Sequence, residues 1–150
     1  MNAEFADRLV KHINFLEEEL KDHVQFKTFT REDYLKNRDK RRNIERWVEN
    51  IINSTVDISR VILNIEEKPI PDTYREIVSM ISAVDGLEGL DTDKLAKWVK
   101  FRNIIAHEYL DIKWNSLSKF IVEVDAIYSG FIKIIKEYIK YKFASEHLKL

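Results

Sequence analysis

Only three glycines and two prolines occur among these 150 residues, and that scarcity limits what the chain can fold into. Glycine and proline are the residues that most readily reverse or interrupt a backbone. A chain nearly free of them favours a few long elements joined at a few places. The apolar residues say which kind. Phe5, Leu9, Ile13, Leu16, Leu20 and Val24 recur at spacings of three and four, the stripe of an amphipathic helix about six turns long. Lys21 lies four residues after Glu17 and supports that helix from the solvated side. Residues 26–29 read as the turn that follows.

Thr30 with Asp33 has the form of a capping box and opens a second apolar series, from Tyr34 and Leu35 through Ile44, Trp47, Val48, Ile51, Ile52, Thr55, Ile58 and Ile62 to Ile65. Nothing breaks it before Pro69 and Pro71, which predicts a helix of about 35 residues and about 50 Å. A helix of that length must protrude, bend or pack against a second copy of the chain, and the last is the expectation. Thr73 with Glu76 opens a shorter helix through Tyr74, Ile77, Ile81 and Val84. The glycine-bearing run from Asp85 to Gly89 is a turn signal. Asp91 or Thr92 is positioned to cap a fourth helix carrying Leu95, Trp98, Val99 and Ile105. Residues 111–115 read as a short corner, and a last helix runs through Leu117, Phe120, Ile121, Val124, Tyr128, Phe131, Ile135 and Tyr138. No segment has the period of a strand. The fold expected is all-α, an up-and-down bundle of about five helices in one domain over residues 1–150, dimeric, with the Trp and Ile stripes as core or dimer seam.

Composition narrows the function classes. A formal net charge of −1 gives no whole-molecule field for coating nucleic acid or membrane, although a local basic patch is compatible with it. The absence of cysteine excludes disulfides, thiolate zinc sites and a cysteine nucleophile, and suits a cytoplasmic location. The N-terminus shows neither a basic leader nor a long apolar run, so neither secretion nor membrane insertion is expected.

The residues that carry chemistry lie in Arg102-Asn103-Ile104-Ile105-Ala106-His107-Glu108-Tyr109. Arginine presents a fixed fork of donors to phosphate oxygens, and histidine exchanges protons near neutral pH. Together they suit metal-independent RNA cleavage, in which a ribose 2′-hydroxyl attacks its own 3′-phosphate. His107 would serve as general base or acid, Arg102 would stabilise charge on the phosphoryl oxygens, and Asn103 would hold the imidazole or contact phosphate. The spacing constrains the geometry. Five residues along a helix rotate by roughly 140° and advance about 7.5 Å, so Arg102 and His107 do not share a face, whereas Tyr109 returns toward the face of Arg102. Either the helix ends near His107, or the site combines this segment with its copy in a second subunit. Arginine, histidine and tyrosine at such spacings also arise by chance, and the residues alone favour a structural role for them.

At these residues the chain resembles the HepT-like branch of the HEPN domains, whose signature is Arg-x4-His-x-Tyr. The likeness extends to Arg42-Asn43-Ile44-Glu45-Arg46 and Thr55-Val56-Asp57-Ile58, similar to the family's second helix. It extends also to Pro71-Asp72-Thr73-Tyr74-Arg75-Glu76, similar to the opening of its third, so that it covers residues 30–130 in order. These proteins are toxins of two-gene toxin–antitoxin pairs in prokaryotes. The resemblance implies a homodimeric ribonuclease toxin of a type VII-like pair, acting on tRNA or another RNA, with Arg102 and His107 as its catalytic residues. It further implies an MNT-type nucleotidyltransferase antitoxin that transfers AMP from ATP to Tyr109. ATP and Mg²⁺ would belong to that partner, and cleavage itself would need no cofactor. The alternatives are a non-catalytic helical dimer that binds nucleotide or a nucleotidyltransferase, and a plain dimerisation module.

Other candidates are weaker. Arg42 and Arg46, in and beside the basic run 38–42, are candidates for RNA contact, against the favoured reading of a solvated face paired with Asp39 and Glu45. Lys133, Lys136, Lys140 and Lys142 read as solubilising. His12, His23 and His147 share no ligand spacing, and His107-Glu108 lacks the second histidine of a zinc helix, so no metal site is expected.

Overall fold

A computed structural model describes residues 3–144; His147 lies outside them. The first helix, α1 (Ala3–Lys21), buries Leu9, Ile13 and Leu16 as the stripe requires. The stripe does not continue onto Val24, which is 74% exposed. The helix pauses at Asp22, and α2 (His23–Phe26) turns His23 and Phe26 inward instead. His23 has specific partners there: its Nε2 lies 2.7 Å from the carbonyl of Ile121, and its ring stacks near Trp47.

The long second helix is two helices. The capping box of α3 (Arg31–Lys36) forms as expected, with the Thr30 hydroxyl accepting from the Asp33 amide and the Asp33 carboxylate accepting from the Thr30 amide. The chain then breaks at Asn37, whose extended backbone and side-chain oxygen cap α4 (Arg38–Ile65) by accepting from the Lys40 amide at 3.1 Å. Arg41 holds the break from the other side. Its Nη1 donates to the carbonyls of Tyr34 and Leu35, groups that the end of α3 leaves unpaired. At 28 residues α4 is about 42 Å long, and it packs against α1, α3, α5 and α6 of its own chain. Its length therefore gives no independent argument for a second copy. Small polar residues on its buried side are satisfied internally, Thr55 by the Ile51 carbonyl and the Tyr128 hydroxyl, Ser59 by the Thr55 carbonyl.

Glu67, at φ 54°, ends α4 in the left-handed region, with the Lys68 amide donating back to the Leu63 carbonyl. Pro69 and Pro71 follow. Thr73 caps α5 (Tyr74–Met80), which tightens into a 3-10 turn at Ile81–Ala83. Asp91 caps α6 (Thr92–His107). The corner expected at 111–115 lies earlier. Glu108 and Tyr109 are extended, and α7 (Leu110–Lys142) starts at once and runs 33 residues. Two contacts hold its first turns in helical form: Asp111 pairs with Arg31 at 2.9 Å, and Trp114 packs near Tyr34 and Phe29.

The described residues are all-α, with no strand among them, and the long helices stack as a bundle. Phe120 of α7 meets Trp47 of α4 and Trp98 and Phe101 of α6 at ring separations of 5.7, 5.1 and 6.0 Å. That aromatic knot fixes α6 immediately before Arg102. No described helix is long and apolar enough to cross a membrane.

Candidate active site

The inward face of α6 is set by Leu95, Trp98, Val99, Phe101 and Ile105, and Trp98 is locked further by donating to Glu123 at 3.0 Å. Burying Phe101 and Ile105 turns Arg102 sideways, toward the start of α5, where it is half-buried. Its guanidinium carbon sits 5.0 Å from the centre of the Tyr74 ring, a cation–π contact. Arg60 of α4 approaches the same ring at 5.7 Å. The donors and charge of Arg102, followed by those of Arg60, hold the Tyr74 phenol below its ordinary range by favouring the phenolate. No described carboxylate pairs with Arg102, whereas Arg60 has Asp57 at 3.4 Å.

Two cavities meet at Tyr74 and Arg102. The larger is an open cleft of about 580 Å³ between α5 and α6, lined among others by Tyr74, Arg75, Lys100, Arg102 and Asn103. The smaller, about 220 Å³, reaches α4 at Asn53, Asp57 and Arg60. His12 of α1 lies near this second recess. Burial holds its imidazole below the ordinary range, opposed by the charge of Asp57 and reinforced by Arg8.

The structure brings Arg102 and Asn103 to one cleft and leaves His107 out of its lining, although Ala106 is part of it. His107 is the exposed last residue of α6, as the alternative of a helix ending near it requires. Tyr109 differs from the expectation of helical return. Because α6 stops first, Tyr109 follows in extended backbone, 85% exposed and outside the lining of both cavities. Arg42 and Arg46 are exposed. Glu45, expected to neutralise that run, instead accepts from the Tyr34 hydroxyl at 2.7 Å. Lys136 and Lys142 are occupied by Glu17 and Glu66. Among the described residues no group of His, Asp and Glu gathers as metal ligands.

Tyr74, Arg60 and Asp57 join the site without having been expected there from the sequence. A signal for two of them exists. Arg42, Arg46, Glu49, Asn53, Asp57 and Arg60 recur at spacings of three and four along a helix that is otherwise largely buried. A polar stripe on such a helix marks a face turned to solvent or to a cleft.

A family model described as "Ribonuclease HepT-like" matches residues 16–140. No curated protein and no solved structure matches the chain significantly. With most of its length aligned to that model, all-α in the described residues and carrying the Arg-x4-His-x-Tyr segment where α6 turns into α7, the chain belongs to the HepT-like ribonuclease family.

Proposed function

We propose that this protein is a metal-independent endoribonuclease toxin of the HEPN type. One observation carries the reading: Arg102, with no described carboxylate partner, is held by Tyr74 on the wall shared by two cavities, within the segment that bears the family signature. Its guanidinium retains donors for a phosphate, and the pre-set orientation suits the charge that builds on phosphoryl oxygens during cleavage. The 2′-oxygen attacks phosphorus, its proton passes to a base, and the 5′-oxygen leaves with a proton from an acid. The products are a 2′,3′-cyclic phosphate and a free 5′-hydroxyl. His107 serves as base or acid. Since His107 lies outside the cleft lining of its own chain, the reading includes a homodimer in which two motif segments complete one another. Asn103 lines the cleft and contacts phosphate or steadies the imidazole, and tRNA is the favoured substrate.

The exposure of Tyr109 supports its role as the site where an MNT-type nucleotidyltransferase antitoxin, using ATP and Mg²⁺, transfers AMP. The phenol oxygen attacks the α-phosphorus and pyrophosphate leaves. Each AMP adds about one negative charge, which competes for Arg102. The test is cleavage of RNA by the wild type, Arg102→Ala and His107→Ala, with the helical fold verified. Loss of cleavage in both variants is expected. Wild-type protein that binds RNA or nucleotide without turnover would instead establish the second reading, a non-catalytic binding dimer, which the separation of His107 from the cleft favours.

A further inference from the structure

Arg60 stands outside the signature segment, yet the fold places it against the same phenol as Arg102. Its carboxylate partner does not occupy it fully. The Arg60–Asp57 contact is a single 3.4 Å pair between side chains 38% and 43% exposed, and exposed pairs of that kind are weak. A guanidinium has five N–H donors. Asp57 engages part of that set, and Arg60 lines a recess whose wall also includes Arg102.

The placement of the two arginines is unequal. Arg102 lines both cavities, whereas Arg60 lines only the smaller. A phosphate held by Arg102 thus sits at a junction, and a chain of phosphates that continues from it has the recess along α4 as one of its two directions. We propose that Arg60 is a second phosphate-binding residue, spaced from Arg102 by Tyr74 and taking the phosphate next to the one that Arg102 holds in single-stranded RNA. This rests on the reading of the cleft as an RNA site. It adds a direction to the bound strand: away from Arg102 it passes Arg60 and Asp57 toward Asn53, on the face of α4 that carries Arg46 and Arg42 further along. Asp57 moderates the pair, leaving two cations and one carboxylate where three charges meet.

The experiment is fluorescence anisotropy with an end-labelled, mixed-sequence single-stranded RNA carrying 2′-O-methyl ribose throughout. That probe cannot be cleaved, so binding is read apart from turnover. Titrations at several salt concentrations give both affinity and its salt slope, to which each neutralised phosphate of a single strand contributes about 0.7. Arg60→Ala is expected to weaken binding about tenfold, the scale of one charge-assisted hydrogen bond, and to reduce the slope by about 0.7. Arg60→Lys should keep the slope with a smaller drop in affinity, and it guards against a folding defect in the alanine variant. Asp57→Asn should tighten binding by freeing the guanidinium. If Arg102→Ala weakens binding while Arg60→Ala and Arg60→Lys match the wild type in affinity and slope, the role of Arg60 is overturned and the RNA reading stands. If the wild type does not bind the probe at all, the RNA reading fails and takes this one with it.

Discussion

Tyr74 shows how much a single side chain can organise. Its ring receives two guanidiniums, at 5.0 Å from Arg102 and 5.7 Å from Arg60, so an element as short as α5 helps to set where Arg102 points. The consequence is spectroscopic. In a titration followed by phenolate absorbance, one tyrosine should ionise below the ordinary value of about 10, and Arg102→Gln should move that transition upward. A titration unchanged by Arg102→Gln would show that the phenol does not hold the arginine. The sign also limits what this contact does for stability. A lowered phenol favours the charged form in the fold, so its contribution arises only as pH climbs through the lowered value and is absent near neutrality. Tyr74 is thus suited to orienting a cation rather than to holding the fold together.

At the scale of elements, the junction between α3 and α4 is the informative one. Asn37→Ala removes the side-chain acceptor for the Lys40 amide and should cost about 1 kcal/mol in chemical denaturation. A drop of no more than a few tenths would mean that Arg41, bonded to the Tyr34 and Leu35 carbonyls, holds the break alone. Local signals make part of this region legible in sequence. Thr30 with Asp33, Thr73 with Glu76, and Asp91 mark helix starts, because a cap and its amide lie within a few residues of each other. Asn37 is hidden inside an apolar series that has the right period on both sides, and Arg41, which braces the break beside its cap, is a contact no periodicity reveals. The corner misplaced to 111–115 has the same origin. Its residues are poor in strong helix formers, and the contacts they make as a helix, Asp111 with Arg31 and Trp114 with Tyr34 and Phe29, lie across the bundle. The candidate site divides along the same line. Arg102 and Asn103 are readable from their segment, whereas Arg60 and Tyr74 join them only through the packing of α4, α5 and α6.

For the whole molecule, the aromatic knot around Phe120 ties α4, α6 and α7 together, and the buried phenols make stability depend on pH. Phe120→Ala should cost about 3–5 kcal/mol, read as a shifted denaturation midpoint, because it opens the contact that α7 makes with both α4 and α6. An effect under about 1 kcal/mol, well short of the usual large-to-small range, would show that the bundle closes without it. Burial pushes Tyr34, Tyr128 and Tyr138 well above the ordinary phenol range, helped at Tyr34 and Tyr138 by bonds to Glu45 and Glu66. In the unfolded chain these phenols release protons near about pH 10, whereas the fold retains them. The unfolded state then binds fewer protons, and stability should fall as pH rises past about 10. Tyr128→Phe should flatten that fall, and it leaves Thr55 bonded to the Ile51 carbonyl. An alkaline limb equally steep in Tyr128→Phe would assign the decline to other groups.

The two extended residues between α6 and α7 carry a consequence of another kind. Tyr109 lies on a backbone already outside any helix, with its side chain in water. A group attached there would require no helix to open and would uncover no apolar surface. Chaperones and proteases that recognise unfolding would meet the same molecule with or without the group. A cell that silenced the protein at this tyrosine would therefore be storing it rather than marking it for destruction, and its abundance would say nothing about its activity.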